Sequence, residues 1–128
     1  MRHFLLCLGL ALSPLAAQAG EIDSSAALHA LAQPGAVLID VRSAEEFASG
    51  ALPGATLIPH DDIAARITDV VPDKNAPIVL YCRSGRRSSI AQDELQALGY
   101  TQVINAGGYE TFKLARDNPT ESPTCTQC

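Results

Sequence analysis

The stretch that decides the fold is Pro77-Ile78-Val79-Leu80-Tyr81-Cys82-Arg83-Ser84-Gly85-Arg86-Arg87-Ser88-Ser89. It opens as a short unbroken apolar run, the pattern of a strand buried on both faces. It closes in a polar segment with one glycine and three arginines, and a pattern of helical spacing follows at Ile90, Ala91, Leu95 and Leu98. Cys82 therefore sits where a strand stops and a helix is about to begin. Backbone N–H groups point outward at such a junction, and the helix dipole favours negative charge there. A thiolate is a negative charge, so the stretch reads as a reactive cysteine beside an anion site.

The same alternation of strand and helix runs outward in both directions. Residues 36–41 form a second continuous apolar strand with Asp40 near its end. Before it, residues 22–32 have helical spacing, with Ser24 or Ser25 as cap, Ala27, Leu28 and Leu31 on one face and Pro34-Gly35 as the stop. After it, Ser43 caps a short helix through Glu45, Glu46 and Phe47 that ends at Gly50. A short strand at 55–58 follows the turn Pro53-Gly54. Pro59 to Asp62 then open a helix whose apolar face is Ile63, Ile67 and Val70-Val71. Beyond the cysteine stretch, residues 101–105 read as a strand and 109–115 as a last helix. The sequence thus predicts an α/β fold: a small, mainly parallel sheet flanked by helices on both faces. Ligands of such sheets bind outside the carboxyl ends of the strands, where Asp40 and Cys82 both lie.

With 128 residues, 47% of them hydrophobic, the chain holds one domain with an ordinary core. Its formal charge of −5 disfavours nucleic acid as a partner. Arg83, Arg86 and Arg87 are a local exception that suits a small anion better than a polymer.

Residues 1–19 read as a signal peptide: a basic start at Arg2, an apolar run from Phe4 to Leu12, and small residues at Ala17 and Ala19 before the cleavage point. The expected mature domain spans 20–116, exported to the periplasm and without a membrane anchor once the signal is removed. Residues 117–128 form a polar tail. Of the four cysteines at 7, 82, 125 and 128, the first leaves with the signal. Cys125-Thr126-Gln127-Cys128 can close on itself, which leaves Cys82 free.

A cysteine after an apolar strand is commonly an inert buried residue. Three features set Cys82 apart. The arginines at positions +1, +4 and +5 favour its thiolate. Gly85 lets the backbone curl so that successive N–H groups converge. Ser88 and Ser89 can cap the next helix and donate to an anion. No histidine has a place beside it, so a cysteine–histidine pairing has little support. No metal is expected, because no cysteine and histidine set has ligand spacing, and no cofactor is expected either.

On these residues the chain resembles the rhodanese, or thiosulfate sulfurtransferase, family, in particular its small exported single-domain bacterial members. The likeness rests on Ile39-Asp40-Val41-Arg42, Glu45-Glu46-Phe47, Gly50 through Pro53-Gly54-Ala55, Val79 to Ser88, and Asn105-Ala106-Gly107-Gly108-Tyr109. It covers about residues 22–116. Ala51 departs from the pattern, since the family usually carries a histidine before the Pro-Gly. The resemblance implies that Cys82 attacks the outer sulfur of thiosulfate, releases sulfite and keeps a persulfide. Cyanide or a thiol then takes the sulfur, a periplasmic thiol protein being one such acceptor. Cys82 is the implied nucleophile, and the loop Arg83, Ser84, Gly85, Arg86, Arg87 and Ser88 holds the anion. Asp40 and Arg42 support the site, with Arg42 expected to pair with Glu45 or Glu46.

Two other readings use the same fold. A cysteine-dependent phosphatase needs five residues between the cysteine and a phosphate-gripping arginine. Here Ser88 stands six after Cys82, and Arg87 comes one place early. A non-catalytic rhodanese-like binding module usually lacks the cysteine, which this chain keeps.

Overall fold

The computed structural model describes residues 21–119. The signal-peptide segment and the Cys125–Cys128 pair lie outside them. Four strands, β1 (Val37–Asp40), β2 (Ala55–Leu57), β3 (Ile78–Cys82) and β4 (Val103–Gly108), form one sheet in the order β2-β1-β3-β4. Every pairing is parallel, so the expected mainly parallel sheet is wholly parallel among the described residues.

Five α-helices cover the sheet: α1 (Ser24–Leu31), α2 (Ala44–Ala48), α3 (Ile63–Val70), α4 (Arg86–Ala97) and α5 (Tyr109–Asp117). A short 3₁₀ turn, His60–Asp62, leads into α3. Successive strand residues point to opposite faces, and the two faces bury separate cores. Ile39, Val41, Ile78, Leu80 and Cys82 meet Ile63 and Ile67 of α3 and Ala91 and Leu95 of α4. Leu38, Val79 and Tyr81 meet Ala27 and Ala30 of α1 and Phe112 of α5. Ile39, Leu80, Ile67 and Phe112 are fully buried. Truncating any of them to alanine costs about 2–5 kcal/mol.

Local chemistry sets the helix starts. Asp23, not Ser24 or Ser25, caps α1 by accepting from the Ala26 N–H at 2.8 Å. Ser43 caps α2 as expected, in a reciprocal box: its hydroxyl accepts from the Glu46 N–H and the Glu46 carboxylate accepts from the Ser43 N–H. Helix α4 differs from expectation. It begins at Arg86 with Gly85 as cap, so Arg86, Arg87, Ser88 and Ser89 belong to the helix and neither serine caps it. Its apolar face is also narrower than the sequence suggested. Ile90 and Leu98 are exposed, at 43% and 41%, while Ser88 and Gln92 turn inward. The first turn of α4 is aimed by its polar contacts with the end of β4.

Strand β4 runs three residues beyond the expected 105. Leu80 pairs with Asn105 but Tyr81 pairs with Gly107, so the ladder slips by one residue at Ala106. Such a bulge bends the strand and re-aims side chains. Here it sets Asn105 beneath the loop that follows β3. The ends of β1, β3 and β4 now lie together.

Candidate active site

The side chain of Cys82 is fully buried at the last residue of β3. The chain then turns through Arg83 and Ser84 to Gly85, whose φ of +94° lies in the left-handed region. A side chain is strained there and glycine is not. That geometry turns the Gly85 N–H back onto the cysteine: it donates to Sγ at 2.9 Å. The Ser88 hydroxyl stands 3.4 Å from the same sulfur.

Two effects compete on the thiol. Burial, the largest, pushes its pKa up. The Ser88 hydroxyl and the backbone N–H groups of Ser88, Ser84 and Gly85 pull it down, and the net result lies below the ordinary thiol value. A thiolate here is solvated by the protein's own dipoles. The expected arginines are not among the leading causes, whereas the expected converging N–H groups and the Ser88 hydroxyl are. The structure gives the leading part to uncharged donors.

The Ser88 hydroxyl is positioned to serve a changing charge. It has one hydrogen and three acceptors in reach: Asn105 Oδ1 at 2.7 Å, Gly85 O at 3.0 Å and Cys82 Sγ at 3.4 Å. Asn105 Oδ1 also receives the Gly107 N–H at 2.9 Å. It stays satisfied if Ser88 turns its hydrogen to the sulfur. Asn105 Nδ2 in turn donates to Gly85 O at 3.1 Å, so one fully buried amide braces both the hydroxyl and the glycine. Asn105 was not among the residues singled out for chemistry. The available signal was a polar residue inside an apolar strand, which is informative when buried.

The three arginines part company. Arg87 donates to both oxygens of Glu46, at 2.7 and 2.8 Å, so its charge is already matched. The pair ties α4 to α2, and the Arg87 guanidinium, its pKa raised chiefly by Glu46, also feels the negative charge of Cys82. Arg87 holds the Glu46 carboxyl well below the usual carboxylate range. Arg83 and Arg86 are exposed and have no ion pair among the described residues. Arg83 lines a cleft of about 420 Å³ together with Lys113, Glu110, Tyr109 and Arg42. Lys113, which has no ion pair among the described residues, adds a second cation to the cleft. The cleft is far larger than a small dianion needs.

Asp40 and Arg42 do meet, but with each other. Arg42 Nη2 lies 2.6 Å from Asp40 Oδ2, Nε adds contacts of 3.0 Å to both oxygens, and the Arg42 N–H donates to Oδ1 at 2.9 Å. The expected pairing with Glu45 or Glu46 is not made. Arg42 also donates to Gly50 O at 2.7 Å and stacks over the Tyr109 ring at 4.6 Å. It thereby fixes the turn after α2 and one wall of the cleft. The Tyr81 hydroxyl accepts from the Leu52 N–H at 3.1 Å, and burial pushes its phenol up. Among the described residues no cluster of histidine, cysteine, aspartate or glutamate could hold a metal ion.

Fold and site together define an α/β domain built around a cysteine-capped strand and a donor-rich loop. The chain belongs to the rhodanese-like domain family, whose domain matches residues 24–115. It is 40% identical over 78 residues to the thiosulfate sulfurtransferase PspE of Escherichia coli (strain K12), covering 61% of this chain and 75% of that protein. It is 38% identical over 89 residues to a sulfurtransferase of Allochromatium vinosum, covering 69% and 81%. Among solved structures, a rhodanese with anions from E. coli aligns with a TM-score of 0.57 at 41% identity, over 59% of this chain and 88% of that one. The human single-domain sulfurtransferase TSTD1 aligns with a TM-score of 0.57 at 31% identity, over 74% and 91%.

Proposed function

We propose that this domain is a sulfurtransferase that takes a sulfane sulfur from thiosulfate, or from a persulfide donor, onto Cys82 and passes it to a thiol or cyanide. The observation that carries the reading is the convergence of the Gly85 N–H, at 2.9 Å, and the Ser88 hydroxyl, at 3.4 Å, on one buried cysteine sulfur. The names borne by the relatives support the same chemistry.

In the first step the Cys82 thiolate attacks the outer sulfur of thiosulfate. The donor's S–S bond breaks, sulfite departs with the electron pair, and a persulfide anion remains on Cys82. The dipoles that stabilised the thiolate now face a negative sulfur of similar charge, so no proton need move. In the second step an acceptor thiolate or cyanide attacks the terminal sulfur and the Cys82 thiolate is restored. Arg83, with Lys113 in the same cleft, draws in the anionic donor. Because Cys82 is fully buried, the loop parts to admit the donor. The absence of an arginine six places after Cys82, where Ser88 stands, weighs against phosphoryl transfer.

We further infer an exported, periplasmic enzyme, from the sequence of residues 1–19, with a periplasmic thiol protein as a fitting acceptor. The test is a steady-state assay of sulfite release from thiosulfate with cyanide or a dithiol as acceptor. Release that requires Cys82 supports the reading. Release of phosphate from an aryl phosphate, lost on Cys82→Ser, would replace it.

A further inference from the structure

Ile22 is half exposed, at 50%, and lies outside both cores. Its buried half has a specific seat. A Cβ built on Gly85 would lie 2.5 Å from Ile22 Cδ1 and 3.2 Å from Cγ1, and one built on Gly107 would lie 2.7 Å from Ile22 Cγ2. One side chain thus fills the hollows left by two glycines. Gly85 presents its N–H to Cys82 Sγ, and Gly107 presents its N–H to Asn105 Oδ1.

The segment that carries Ile22 is held from both sides. Ile22 bridges to Asn105 as a one-residue parallel extension of the sheet, and the Asp23 N–H donates to Asn105 O at 2.9 Å. On the other side Asp23 caps α1 through Ala26, and the Ser24 hydroxyl donates to Ala106 O at 3.1 Å. Ile22 is therefore pressed onto the loop by an anchored strap. Gly85 is the most permissive residue of the loop, yet it must keep a single left-handed geometry for its N–H to face the sulfur.

We propose that Ile22 is a positioning residue for the reaction: it holds Gly85 in the conformation that aims its N–H at Cys82, and so sets the fraction of Cys82 present as thiolate. The side chain touches neither sulfur nor substrate. It acts through the glycine backbone. The inference rests on Cys82 being the nucleophile, but its test reads the thiol directly and does not require sulfur transfer.

The experiment compares wild type with Ile22→Ala, Ile22→Val and Leu114→Ala. Leu114 is 61% exposed in the groove that Ile22 also lines, and it lies outside the loop contacts described above. The β-carbon resonance of Cys82 is followed by NMR through a pH titration, with hydrogen exchange of the Gly85 amide. Ile22→Ala is expected to move the thiol midpoint up by about half a pH unit or more, the scale of a weakened hydrogen bond to an anion. Exchange at Gly85 should quicken as well. Ile22→Val, which keeps Cγ1 and Cγ2, should fall between, and Leu114→Ala should match wild type. A Cys82 midpoint and Gly85 exchange in Ile22→Ala and Ile22→Val equal to wild type would overturn the proposal. So would an equal shift in Leu114→Ala. A shift in a protein that takes up no sulfur would instead remove the proposed function and leave the brace standing.

Discussion

Two neighbouring strand ends carry a negative group, and they neutralise it differently. At the end of β1 the Asp40 carboxylate, fully buried, is met by the full charge of Arg42 at 2.6 Å. At the end of β3 the Cys82 sulfur, equally buried, is met by the Gly85 N–H and the Ser88 hydroxyl, with no cation within bonding distance among the described contacts. An ion pair with several hydrogen bonds fixes its carboxylate in one place. Dipoles lower the energy of a thiolate while leaving its lone pairs open to attack on sulfur. They also leave Arg83 free to attract the donor. The β1 end is therefore built to hold the cleft wall, and the β3 end to react.

Breaking the two ends should have opposite consequences. Asp40→Ala strands a buried guanidinium and is expected to cost about 3–5 kcal/mol of stability, read as a lower urea midpoint, with activity lost through unfolding. Cys82→Ala should keep a nearly wild-type midpoint and lose all sulfur transfer. Loss of stability from the cysteine change, or a mild effect of the aspartate change, would erase the distinction.

A smaller effect should follow at the dipole end alone. Ser88→Ala removes one hydrogen bond to an anion, worth about 1.5 kcal/mol or more. Loss of that bond should raise the thiol midpoint by about one pH unit, since one unit is worth about 1.4 kcal/mol. At a pH below the midpoints of both proteins, sulfur uptake should then slow by about tenfold. The wild-type rate should rise with pH and level off below the ordinary thiol value, because the pKa is lowered. A rate with the same midpoint in both proteins would assign the lowered pKa elsewhere.

The loop arginines sharpen the contrast further. Arg83→Ala should raise KM for thiosulfate several-fold, an effect that shrinks as salt rises. Arg87→Gln should leave KM for the donor near wild type, because its charge is spent on Glu46.

The Glu46–Arg87 pair itself is about a quarter exposed on each side, and such pairs contribute about 0–1 kcal/mol. The Glu46 carboxyl is depressed when folded. Its contribution is therefore fully present above the unfolded carboxylate pKa and is lost as pH falls through the folded value. Glu46→Gln should lower the urea midpoint slightly at neutral pH and not at all in strong acid.

The main frame of the molecule was legible from apolar runs and their stops. Runs at 36–41 and 77–82, too short for ordinary helices, read as strands covered on both faces, and their ends placed Asp40 and Cys82 together. What escaped was partner choice. The expected partner of Arg42 is Glu45 or Glu46, yet Asp40, two residues back, lies on the same side of the strand end and takes it. Glu46 bonds to Arg87, 41 positions away, a contact that only the crossover from α2 to α4 creates. Asn105 was hidden for a related reason. Its role depends on a bulge at Ala106 that no local pattern announces. Ile90 and Leu98 fit a helical apolar stripe, but Ser88 orients the first turn of α4 toward the sulfur, which turns Ile90 outward, and Leu98 lies past the last residue of the helix.

The central claim is that dipoles at the end of β3 ready Cys82 to accept a sulfur. Intact-mass measurement of the mature protein after brief exposure to thiosulfate, without acceptor, tests it most directly. The account predicts a gain of one sulfur, about 32 daltons, that maps to Cys82, is absent in Cys82→Ser and is removed by an added thiol. No gain in the wild type, or an equal gain in Cys82→Ser, would contradict it.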